Sequence, residues 1–159
     1  MESIFASMLL QVTARLGGEF GNKVHIAFAG GRGRPQMGVP EITIEFDEFR
    51  FESLAGGVQM GAGTLVVRLL FAAFSSPAAA TPEPYRRKAL AYCEIESKLH
   101  GILQGFQPHA SAGGLDRISA RGKYQPDGRV EREIRYSVTF TDSTATEGKT
   151  WKRVKAAMR

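Results

Sequence analysis

Cysteine is nearly absent: Cys93 stands alone among 159 residues, which excludes an intramolecular disulfide and any single-chain zinc site built from cysteines. Histidine is scarce too. His25, His100 and His109 lie far apart, and none has a Cys, Asp or Glu at the spacing of an HxxxH or HExxH pair, so no metal site is expected. A charged leader running into an apolar core is not visible, and no apolar run reaches 18 residues; a soluble chain without signal peptide or spanning helix is expected. Internal repeats are missing as well. What remains is ordinary globular material, 43% hydrophobic and 23% charged, of a length that suits one domain with a proper core.

The formal charge of +5 is unevenly placed. Residues 147–159 carry Lys149, Lys152, Arg153, Lys155 and Arg159 against Glu147, leaving little net charge for the rest. The stretch 41–52 is acidic, with Glu41, Glu45, Asp47, Glu48 and Glu52 against Arg50. An acidic patch beside a basic tail suits a protein that meets unlike surfaces, including those of its own copies. It equally suits two solvated faces. The division expected is a single domain over 1–146 with a basic extension over 147–159.

Hydrophobic spacing predicts an opening helix over about 2–16, striped by Ile4, Phe5, Met8, Leu9, Val12 and Leu16 and stopped by Gly17 and Gly18. Lys23 to Phe28 alternates as a strand. Residues 29–39, with Gly30, Gly31, Arg32, Gly33, Arg34 and Pro35, read as a projecting loop. In 41–52, Ile42, Ile44 and Phe46 share one parity and Phe49 and Phe51 the other, so a bulge is predicted at Asp47 and Glu48. A glycine-rich connection over 54–63 should lead into a central strand over 64–74, apolar except for Arg68 and covered on both faces. After an alanine- and proline-rich linker, Thr81, Pro82 and Glu83 predict the start of a long helix reaching about Gly105. Its apolar side is Tyr85, Ala89, Tyr92, Ile95, Leu99, Ile102 and Phe106. Residues 115–124 and 130–141 form a hairpin around 125–129, the second strand burying Ile134, Tyr136, Val138 and Phe140. The fold expected is α+β: a mostly antiparallel sheet of about five strands with an N-terminal helix and one long helix packed on it.

Catalytic constellations are not found, and neither an enzyme nor a cofactor is expected. Cys93 reads as a buried inert thiol, His25 as a polar strand position, and His100 as a residue near a helix C-terminus, where a cation is welcome. Asp47 with Glu48, and Glu94 with Glu96, point apart and read as surface charge. The Gly30–Arg34 segment lacks the Lys-Ser/Thr of a phosphate loop and the repeats of an RNA-binding tract; it reads as a flexible surface loop, whose most useful functional reading is a mobile arm that orders only against a neighbour.

The opening helix, the strands, the helix ending Glu96-Ser97-Lys98-Leu99-His100-Gly101 and the hairpin ending Arg135-Tyr136-Ser137-Val138-Thr139-Phe140 resemble the tail-terminator family of long-tailed bacteriophages and prophages over about residues 1–142. Related head-to-tail completion proteins share this layout. The resemblance implies a virion structural protein, assembled in the bacterial cytoplasm. Such a subunit forms a hexameric ring on the last tail-tube ring, stops tube polymerisation and joins the tube to the head connector. Its partners would be copies of itself, the tail-tube protein and the head-completion or connector protein, with DNA met only by passage through the ring. A ring of identical chains needs a heterologous contact. Candidates for subunit or tube contacts are Arg32, Arg34, Glu45, Asp47, Glu48, Trp151, Lys152, Arg153 and Lys155. The alternatives are another neck or tail-completion protein, or a basic nucleic-acid-binding module using Arg32, Arg34 and the tail.

Trp151 sits among polar residues, where it either anchors an interface or folds back on its own domain. Under the first reading, Trp151→Ala leaves the circular dichroism spectrum unchanged and lowers the molar mass measured by light scattering. Loss of folding in that variant assigns the residue to the core.

Overall fold

The structure is a computed structural model that describes residues 3–28, 39–72, 78, 80–126 and 128–146. It begins with helix α1 (Ile4–Phe20), followed by strands β1 (His25–Phe28), β2 (Glu41–Ser53) and β3 (Gln59–Ala72). Helices α2 (Glu83–Ala89) and α3 (Ala91–Leu103) come next, then β4 (Asp116–Tyr124) and β5 (Arg129–Asp142). The strands form one sheet in the order β1-β2-β3-β5-β4. β1 runs parallel to β2, and all other neighbours are antiparallel. The α+β architecture expected from the sequence is the one observed.

The core lies on one side of the sheet. From α1 it takes Met8, Val12, Leu16 and Phe20, and from α3 Tyr92, Leu99, Ile102 and Leu103. These meet Ile42 and Ile44 of β2, Leu65, Val67, Leu69 and Phe71 of β3, and Ile134, Tyr136, Val138 and Phe140 of β5. Alternation along β5 therefore holds as read from its sequence, with the intervening Glu133, Arg135, Ser137 and Thr139 on the other face.

The bulge also falls where the parity slips. Phe46 pairs with Leu65 and Phe49 with Gly63, so Asp47 and Glu48 together oppose Thr64. The extra residue turns Phe49 and Phe51 onto the same face as Phe46. There they form an edge-to-face cluster with Phe5 of α1 and Phe140 of β5, with Phe49 5.4 Å from Phe5 and 5.3 Å from Phe140.

Several expectations need correction. Gly17 and Gly18 do not stop α1, which runs to Phe20 and ends at Gly21 with φ +58°, a conformation glycine adopts without strain. The glycine-rich stretch 54–63 is only partly a connection, because β3 starts at Gln59. Glycine suits the strand here for a packing reason: a Cβ at Gly61 would collide with the edge of the Phe140 ring, and one at Gly63 with the Phe49 ring and the Glu48 carbonyl. β3 is central, but among the described residues no helix covers its Arg68 row, and the Arg68 side chain stays 31% exposed. The long helix is broken at Leu90, whose φ −97° and ψ 6° leave the helical range. Its start is Pro82 without a side-chain cap from Thr81, and Tyr85, expected on the apolar side, is exposed. Cys93 is exposed rather than buried.

Gly63→Val is expected to cost about 1–3 kcal/mol by overpacking the ring cluster, read from urea unfolding. Ala62→Val, one residue away on the exposed side, should stay within about 0.5 kcal/mol. Equal effects at the two positions contradict this packing.

Candidate functional site

Among the described residues the helices occupy one face of the sheet, and the other face carries rows of charge, with Val66 and Glu41 buried among them. Across it run cross-strand rows: Glu41, Leu70, Glu131 and Lys123; then Thr43, Arg68, Glu133 and Arg121; then Glu45, Val66, Arg135 and Ser119. Arg68, in the central strand, is bracketed by three glutamates. It bonds Glu45 on one side and lies 3.3 Å from Glu133 and 3.9 Å from Glu131 on the other. Arg135 donates to Asp47 at 2.6 Å and to Glu133 at 2.8 Å. These bonds hold the Asp47 and Glu133 carboxyls below their ordinary pKa and raise that of Arg135. Asp47 gains further from a backbone hydrogen bond at Glu48.

Of the acidic residues singled out in the sequence, Glu45 and Asp47 are thus engaged within the sheet. Glu48 is exposed and lies 3.7 Å from Arg50. Arg32, Arg34, Trp151, Lys152, Arg153 and Lys155 lie outside the described residues. Glu94 and Glu96 do diverge, but Glu96 is no surface charge. It accepts from Arg132 at 2.6 and 3.1 Å beneath the sheet, with a side chain only 13% exposed. That pairing raises the pKa of Arg132. His100 packs on Tyr136, with Nδ1 3.5 Å from the phenol oxygen. Burial lowers the His100 pKa and pushes that of Tyr136 up to about 12. At His100 burial and the nearby Arg117 charge both disfavour the cation expected there. Among the described residues no group of three potential metal-ligating side chains occurs, and no helix is long and apolar enough to cross a membrane.

Three surfaces are left uncovered by the rest of the described chain. The first is β4, a sheet edge paired only with β5 among the described residues and exposed or half-exposed along its whole length. Ile118 and Tyr124 are 55% and 64% exposed there, amid Arg117, Arg121 and Lys123. The second is the tip of the β2–β3 hairpin, with Phe51, Leu54 and Met60 exposed. The third is a cleft of about 530 Å3 at the opposite end of those strands. Its floor is Phe20, Val24, Pro40, Phe71 and Ile95, and Lys23, Lys88 and Lys98 stand at its rim with Glu94. Lys98 is fixed there by Phe20, 4.9 Å below it, and by donation to the Glu19 carbonyl.

The sequence reading missed Arg68, although a lone arginine in an otherwise apolar strand was visible. It also missed the lysines of the cleft, which come from two distant segments and gather only in the fold.

No protein-family model and no curated protein sequence matches this chain. Among solved structures it is similar to a chain of the "Virion of native gene transfer agent (GTA) particle", with 12% identity and a TM-score of 0.46. The match covers 88% of this chain and 96% of that one. A likeness so distant carries no functional argument.

Arg68→Met leaves three carboxylates facing one another and is expected to cost roughly 1–2 kcal/mol near neutral pH, measured by urea unfolding. Because Asp47 and Glu133 bind protons less readily folded than unfolded, their contribution is present above the ordinary carboxylate range. It is lost as pH falls through their lowered folded values. Unfolding midpoints against pH should therefore fall on the acid side, and less steeply in Arg135→Met. Parallel acid limbs contradict the assignment.

Proposed function

We propose that this chain is a structural subunit of a phage-like particle, a tail terminator whose copies close into a ring, cap the tail tube and present a face to the head connector. The sequence resemblance over residues 1–142 supports the reading, and so does the distribution of uncovered surface. The observation that carries it is the β4 edge. A nine-residue strand whose outer backbone row has no partner among the described residues, and which shows two large apolar side chains to water, is a template for another chain. Its arginines and lysine keep that edge soluble while the chain is alone.

The hairpin tip and the cleft differ from β4 and from each other. Unlike surfaces are what a heterologous ring requires, because each copy must offer a neighbour something other than what it receives. In this reading β4 meets a different component, the tube or the connector, and the folded body supplies no chemistry beyond shape and charge.

Tail-tube protein allowed to polymerise with this chain present should yield tubes whose growth stops at a capped end, seen by electron microscopy. Ile118→Glu, on the exposed edge, should keep the fold and raise the concentration needed for capping at least about tenfold, or 1.4 kcal/mol. Tubes of unchanged length with the unaltered chain contradict the terminator reading.

A further inference from the structure

The cleft and the hairpin tip complement each other in both polarity and charge. The cleft is apolar within and rimmed by Lys23, Lys88 and Lys98 against the single Glu94. The outer half of the hairpin shows Phe51, Leu54 and Met60 to water, with Glu48 and Glu52 exposed beside Arg50. We propose that the β2–β3 hairpin tip of one copy seats in the lysine-rimmed cleft of the next, so that this pair of patches is the ring contact; the inference rests on the ring reading above.

Distance within one chain decides that the contact is between copies. Phe71 and Ala72, beside the cleft, and Gln59, at the hairpin, are the two ends of β3. Thirteen steps of extended strand, at about 3.3 Å each, separate them by roughly 40 Å. The strand is paired with β2 and β5 along its length, which keeps its two ends apart, so a chain cannot fold its own tip into its own cleft. A second copy brings both patches, and each copy then gives a tip and receives one, the head-to-tail arrangement that closes a ring.

The chemistry divides as in other interfaces. Leu54 and Phe51 supply apolar area to the floor formed by Phe20, Val24 and Ile95. Glu48 and Glu52 meet Lys23 and Lys88 at the wet rim, where charge sets register and encounter rate. The bulge at Asp47 and Glu48 contributes by turning the outer half of the hairpin. Without it Phe51 would face the charged side of the sheet.

Charge exchange in the full-length chain tests the contact. Lys23→Glu with Lys88→Glu alters the cleft, and Glu48→Lys with Glu52→Lys alters the tip. All four residues are exposed, and circular dichroism should show the fold intact. Each pair alone is expected to weaken self-association, followed by sedimentation velocity, by about tenfold or more. All four changes in one chain should bring it back to within about threefold of the starting value. Leu54→Asp, which depends on no charge partner, should weaken association to a similar degree. Rings indifferent to these changes, or losses that add rather than cancel, overturn the tip-in-cleft contact while leaving the ring reading in place. A starting protein that never associates overturns both.

Discussion

Among the described residues the helices lie on only one side of the five-stranded sheet, and this asymmetry governs most of the molecule. On the covered side the requirement is apolar volume, met by α1, α3 and the phenylalanine cluster. On the open side the requirement is solubility in a central strand that would otherwise read as continuous hydrocarbon. Arg68 meets it, and its charge in turn needs Glu45, Glu131 and Glu133 from the flanking strands. The network does more to fix strand order and register than to add stability, because half-exposed ion pairs contribute little net free energy. Sliding one strand by a single residue would place Glu133 in the core and Ile134 beside Arg68.

The bulge in β2 joins the two sides. By adding one residue at Asp47–Glu48 it brings Phe49 and Phe51 to the core side with Phe46 while Asp47 reaches Arg135 on the other. The same slip shapes the outer hairpin, whose apolar tip is not covered by the described part of the chain. Stability and surface character are thus linked at one position.

Much of this was legible in the residues. Period-two alternation marks β5 and the inner half of β2, and the change of parity at Asp47 marks the bulge. Helical spacing found the buried stripe of α1 and most of that of α3. The failures have physical causes. Gly17 and Gly18 sit in open space on a helix whose Leu16 and Phe20 are buried, and tertiary packing outweighed the local preference of glycine. Gly61 and Gly63 looked like loop residues because their purpose, making room for the Phe140 and Phe49 rings, depends on partners distant in the chain. The break at Leu90 leaves the apolar spacing almost unchanged and so has no periodic signature. For the candidate surfaces, acidity along 41–52 was visible, but the sequence could not show that Arg68 and Arg135 already engage Glu45 and Asp47. Cys93, Lys23, Lys88 and Lys98 were likewise uninformative singly, since exposure and convergence are properties of the fold.

In the proposed reading assembly is the activity: the described body has a complete core and leaves three surfaces uncovered by the rest of the described chain, a sheet edge, an apolar tip and a basic cleft. The most direct test of that claim is the molar mass of the purified chain, followed by native mass spectrometry from low to high concentration. The account predicts one closed oligomer of fixed copy number that gains population with concentration at the expense of the single chain. A mass of one chain at every concentration, or an open ladder of sizes with no preferred closure, contradicts it.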